Sequence, residues 1–134
     1  MTKRLRILVC CGRDYNDRKQ VASVLDTYLG QPLLIIHGAA RGADSLADAW
    51  AKNHEQDDVK VKSYPAKWLD TSIDLPVRLR NAGPVRNALM LAEGKPDLVI
   101  AFPGGTGTDD MVKKARRAGV RVRRISTKPV NSLF

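Results

Sequence analysis

The chain has 134 residues, 23 Lys plus Arg against 14 Asp plus Glu, a formal net charge of +9 and 43% hydrophobic residues. That length fits one domain and that apolar share can build a core, which excludes wholesale disorder. The charge points to an anionic partner (a phosphate-bearing small molecule, nucleic acid or an acidic membrane surface), while an aromatic share of 5% leaves few flat side chains for stacking bases.

No apolar run approaches the roughly 20 residues needed to span a bilayer. The start, MTKRLRILVC, has too short an apolar stretch for a secretory signal, so a cytoplasmic protein without membrane association is expected. Cys10 and Cys11 are adjacent. In a strand their side chains point to opposite faces, so a disulfide between them would be strained. No zinc spacing accompanies them, and neither a metal nor an obligatory cofactor is expected.

Short apolar runs alternate with helical segments. Residues 6–11 (RILVCC) read as a first strand. Residues 17–29 place Val21, Val24, Leu25 and Tyr28 at helical spacing, and Gly30 stops them. Leu33–His37 reads as a strand buried on both faces, and residues 41–53 as a helix with Ala43, Leu46, Ala47, Trp50 and Ala51 on one stripe. Val59–Ser63 alternates strictly, as a half-exposed third strand does. Residues 64–83 are irregular, with Pro65, Trp68 and Pro76, and form a candidate lid or contact surface. Pro84 suits the first position of a helix that covers residues 85–93. Residues 97–102 give a further strand, 105–118 a helix stopped by Gly119, and 121–125 a last strand before a tail at 126–134.

This alternation predicts an α/β fold: one Rossmann-like, doubly wound parallel sheet of about five strands in the order 3-2-1-4-5, with helices on both faces. The domain would cover residues 1–125. Ligands of such sheets sit beyond the carboxyl ends of the strands, at the switch point between the first and fourth strands.

Three strand-to-helix turns open on that crevice. Pro103-Gly104-Gly105-Thr106-Gly107-Thr108 combines backbone that can approach a ligand closely, a helix N-terminus and two hydroxyls, and so forms a candidate phosphate cradle. It is neither a Walker A loop nor GxGxxG, and a plain tight turn capped by Thr108 is the competing reading. His37-Gly38-Ala-Ala-Arg41-Gly42-Ala-Asp44 adds two glycines and a fork-shaped phosphate donor, with Asp44 a candidate helix cap and His37 a structural histidine. Gly12-Arg13-Asp14-Tyr15 adds a second arginine and an aromatic ring able to flank a base or ribose. Arg86 and Asn87, in the first turn of the helix after Pro84, complete the set.

The strings GRDY, HGAARGAD, AGPVRNALM and AFPGGTGTDDM, in that order, resemble the YspA/YpsA-related branch of the SLOG superfamily, over roughly residues 6–125. The resemblance implies a Rossmann-like sheet that binds nucleotides or nucleotide-derived ligands, such as ADP-ribose or NAD relatives or nucleoside phosphates. It suits a sensor or sequestering role, with a homodimer as the expected assembly. Two related groups suggest alternatives. Residues 86–111 are similar to LOG phosphoribohydrolases, which hydrolyse the N-glycosidic bond of nucleoside monophosphates with a glutamate in PGGxGTxxE. The matching residue here is Met111, leaving Asp109 and Asp110 as imperfect candidate catalytic carboxylates. HGAARGAD is similar to a segment of DprA proteins, which bind single-stranded DNA. The basic residues Lys113, Lys114, Arg116, Arg117, Arg121, Arg123 and Arg124 could track a nucleic-acid backbone or simply face water.

Overall fold

The computed structural model describes residues 3–10, 12, 15–38, 43–65, 69–70, 77–78 and 82–126, with residues 43–44, 69–70, 77–78 and 82 described by their backbone alone. The elements in chain order are β1 (Leu5–Cys10), α1 (Arg18–Asp26), β2 (Leu33–His37), α2 (Ala43–Asn53), a 3-10 turn (Glu55–Asp57), β3 (Val59–Ser63), β4 (Leu69–Asp70), β5 (Val77–Arg78), α3 (Ala82–Gly94), β6 (Leu98–Ala101), α4 (Thr106–Arg117) and β7 (Arg121–Arg124). The main sheet is parallel and ordered β3-β2-β1-β6-β7, the expected 3-2-1-4-5 order, while β4 and β5 form a separate antiparallel pair. The β4–β5 pair lies inside the stretch that reads as irregular in the sequence.

Alternation along the strands divides the interior into two layers. Ile7, Val9, Leu33, Ile35, Ile100 and Phe102 point toward α1 and α2, where Val21, Leu25, Ala47, Trp50 and Ala51 meet them. Leu8, Cys10, Ile36, Val99 and Ala101 point the other way, against Met90 of α3 and Met111, Val112 and Ala115 of α4. Trp50 also donates its indole N–H to Asp26 at 2.9 Å and stacks on His54. This places its polar edge at the surface while the ring fills the core.

Helix boundaries follow from local chemistry. Asp17 caps α1, its carboxylate accepting from the Gln20 amide at 3.0 Å. Gly30 and Gly119 adopt positive φ (98° and 76°) where the chain turns back after α1 and α4. α3 starts at Ala82, so Pro84 is its third residue rather than its first, still within the turn whose amides have no intrahelical acceptor. Arg86 and Asn87 consequently lie two residues further in than the sequence suggests. The close seat of α3 on β2 requires a small residue at its end: a Cβ on Gly94 would come 3.1 Å from Ile36 Cδ1. The two edge strands are polar, β3 through Lys60 and Lys62 and β7 through exposed Arg121, Arg123 and Arg124, which protects them from pairing with other chains.

Candidate functional site

The switch point falls between β1 and β6, and the backbone is closely packed there. The Phe102 amide donates to Cys10 O and the Gly12 amide to Pro103 O, both at 2.9 Å. A Cβ on Gly12 would lie 2.9 Å from Gly104 Cα and 3.3 Å from Pro103 O. Only glycine allows the turn after β1 to press against the turn after β6 in this way. Tyr15 packs on this junction: its ring stacks on Phe102 with centroids 5.5 Å apart, and its hydroxyl donates to Gln20 Oε1.

The turn after β6 differs in character. Gly104, Gly105, Thr106 and Gly107 are exposed. Gly105 occupies the N-cap of α4, without a side-chain cap, and its carbonyl accepts from the Asp109 amide at 3.0 Å. A Cβ on Gly105 or Gly107 would meet nothing within 4 Å, and neither residue has positive φ. The protein's own packing therefore gives no reason for glycine at these two positions. They leave the amides of the first turn of α4, which have no intrahelical acceptor, uncovered at the positive end of the helix dipole. Thr108 is the third residue of α4, not its cap. It is buried, and its hydroxyl has no hydrogen-bond partner among the described residues.

A polar chain joins this turn to the one after β2. Arg86 donates from Nη1 to Gly38 O at 2.5 Å and from Nε to Asn87 Oδ1 at 3.0 Å. Buried Asn87 donates to Gly107 O at 3.2 Å and to Asp110 Oδ2 at 3.0 Å. The other oxygen of Asp110 accepts from Lys114 Nζ at 2.5 Å. A Cβ on Gly38 would collide with the Arg86 guanidinium, so a glycine is also needed here for the arginine to lie across the turn.

Burial alone would raise the Asp110 carboxyl, but the hydrogen bonds from Lys114 and Asn87 and the charges of Lys114 and Arg117 outweigh it and hold the group below the usual carboxylate range. Asp109 is exposed and pairs with Arg124 at 3.3 Å. Met111 is fully buried in the layer between the sheet and α3–α4. His37, also buried, shares its Nε2 with Asp48 at 2.9 Å, and Asp48 in turn pairs with Lys52 at 2.8 Å. Desolvation opposes ionisation of Asp48, but Lys52 and His37 prevail and lower its pKa.

Close packing and hydrogen bonds thus link Gly12 to Gly104, and Gly38 through Arg86 and Asn87 to Gly107 and Asp110, with Gly105, Thr106 and Thr108 in the same turn. Arg13, Arg41 and Gly42 lie outside the described residues, as do Cys11 and Asp14. Lys114, which reads in the sequence as one of a solvated basic group, is a member of the site's polar chain. The i,i+4 spacing of Asp110 and Lys114 was the available signal, as it was for Asp48 and Lys52. Among the described residues, no group of three or more His, Cys, Asp or Glu could hold a metal ion, and no helix is long and apolar enough to cross a membrane.

Residues 5–70 match the YspA, cpYpsA-related SLOG family. The chain is also 33% identical over 131 residues to the Gene 61 protein of Mycobacterium phage D29, an alignment covering 92% of this chain and 98% of that protein. The chain belongs to the YspA, cpYpsA-related SLOG family. SLOG membership suggests nucleotide-related ligand binding. The matched segment runs from β1 to β4 and includes the turns after β1 and β2, whereas the glycine-rich turn of α4 lies beyond it and is covered by the likeness to the phage protein.

Proposed function

We propose that this SLOG protein binds a nucleotide or nucleotide-derived ligand, of the ADP-ribose, NAD or nucleoside-phosphate class, with a phosphate on residues 104–108. The observation that carries this reading is the empty space in front of Gly105 and Gly107. Their missing side chains serve no internal contact and expose a helix N-terminus beside a chain of hydrogen bonds from Arg86. The orphaned hydroxyl of Thr108 at the same helix end adds support, because an unpaired buried hydroxyl costs about 1–3 kcal/mol.

Binding without turnover fits the carboxylates better than N-glycosidic hydrolysis. The residue at the position of the LOG glutamate is a core methionine, and Asp110 is held ionised by two donors. A carboxyl so held is a poor proton donor at neutral pH. A sensor or sequestering role follows. Thermal unfolding against a panel of nucleoside mono- and diphosphates, ADP-ribose and NAD tests it. A ligand at 100 times its dissociation constant should stabilise the fold by about 2.7 kcal/mol, or roughly 8 °C for a chain of this size. Chromatography of the same mixtures should show no free base. Absence of a shift with every phosphate-bearing ligand would overturn the reading.

A further inference from the structure

The helix α3 carries small or apolar residues on two opposite sides, although only one of them faces the sheet. Gly83, Asn87, Met90 and Gly94 are buried on the inner side. On the opposite side Val85, Ala88, Leu89 and Ala92 follow the i, i+3, i+4, i+7 spacing of a packing stripe, and all four are exposed. Val85 is 56% and Leu89 43% accessible, and these two are the exposed large hydrophobic residues of the described part of the chain. An apolar stripe at helical spacing is ordinarily covered by packing.

Beside this stripe runs a groove between α3 and α4. A cavity of about 460 Å3 is lined by Ala88, Leu91, Ala92, Lys114, Arg117 and Ala118. The floor is built from small apolar side chains, which let another backbone approach closely. The α4 rim is cationic: Lys114 and Arg117 line the groove, with exposed Lys113 and Arg116 nearby on the same helix.

We infer that the α3–α4 groove docks an acidic amphipathic helix of a partner protein. The apolar face of the partner would lie on Val85, Ala88, Leu89 and Ala92, and its carboxylates would meet Lys114 and Arg117. Two features select this occupant. A second copy of the chain would bring a like-charged rim and a +9 body against the first, and juxtaposed like charges oppose association. A lipid surface fits less well, because no aromatic side chain lines this area to anchor among headgroups.

The test uses the whole isotope-labelled protein and two synthetic helical peptides. Both carry leucines at i, i+3, i+4 and i+7; one is flanked by glutamates and the other by lysines. The acidic peptide should shift the amide resonances of residues 85–92 and 114–118 and bind at least tenfold more tightly than the basic one. Its affinity should fall with added salt. Leu89→Glu, at an exposed position, should abolish binding, and Arg117→Glu should reverse the preference between the peptides. Equal binding of both peptides, binding of neither, or binding that survives Leu89→Glu would overturn the inference. So would sedimentation of the wild type as a dimer that Leu89→Glu dissociates, which would assign the face to a second copy. Retention on anionic phospholipid vesicles lost in Leu89→Glu would assign it to a membrane.

Discussion

The two faces of the sheet are built on different principles. The layer under α1 and α2 is a packed interior with large side chains, Phe102, Trp50 and Leu25 among them, and the helices that cover it are amphipathic. The layer under α3 and α4 is held by smaller residues and two methionines, and it contains a buried amide, Asn87, and a buried hydroxyl, Thr108, without a partner among the described residues. Its outer helix is apolar where it meets solvent. Both layers bury apolar side chains and so contribute to stability. The second adds polar groups beside the glycine turn and exposed apolar surface on α3, and these are the features expected where a protein meets ligands and partners.

The largest expected effect comes from putting the LOG-type glutamate back. Met111→Glu would bury an unpaired carboxylate in the α3–α4 layer and should cost about 5 kcal/mol, read by urea unfolding. It should not create a hydrolase. A stable Met111→Glu protein that releases base from a nucleoside monophosphate would show that this layer is an active site after all. Trp50→Ala comes next, at about 3 kcal/mol, from the lost ring and the lost bond to Asp26. Ligand affinity of that variant, measured where it is still folded, should match the wild type. A large loss of affinity would contradict the division between the two layers.

The division was partly legible in the sequence. The elements and the burial of β2 follow from local apolar runs such as Leu33–His37 and from periods of 2 and 3.6 residues, and the strand order from their alternation with right-handed crossovers. The glycine turn was legible because glycines between a strand and a helix have few purposes. The polar chain from Gly38 through Arg86, Asn87 and Asp110 to Lys114 was not, because it joins residues up to 76 apart and only the packing of α3 against α4 brings them together. The apolar outer face of α3 was hidden for a different reason. In AGPVRNALMLAEG the buried stripe is Gly83, Asn87, Met90 and Gly94 and the exposed one Val85, Ala88, Leu89 and Ala92, so the more apolar stripe is the exposed one and periodicity points to the wrong face.

Two smaller effects sharpen the comparison within the second layer. Asp110→Asn should cost about 1 kcal/mol at neutral pH through its bonds to Lys114 and Asn87. The folded-state pKa of Asp110 is lowered, so its contribution is present above the unfolded value of about 3.9 and is lost as pH falls through the lower folded value. Unfolding curves of wild type and variant should therefore differ at pH 7 and converge in acid. A difference that persisted in acid would mean that the carboxylate is not the group responsible. Gly38→Ala should have the smallest effect on stability, below about 1 kcal/mol, because the colliding atoms belong to the end of a flexible arginine. It should nevertheless weaken nucleotide binding about tenfold by displacing Arg86. Unchanged affinity would remove Arg86 from the site.

The central claim is that the open turn at residues 104–108 receives a phosphate. A titration of the labelled protein with ADP-ribose, followed through backbone amide resonances, tests it most directly. The largest shifts should fall on Gly104, Gly105, Thr106, Gly107 and Thr108, with smaller ones at Gly12 and Gly38. Saturable binding that left those five amides unmoved while shifting others would contradict the account.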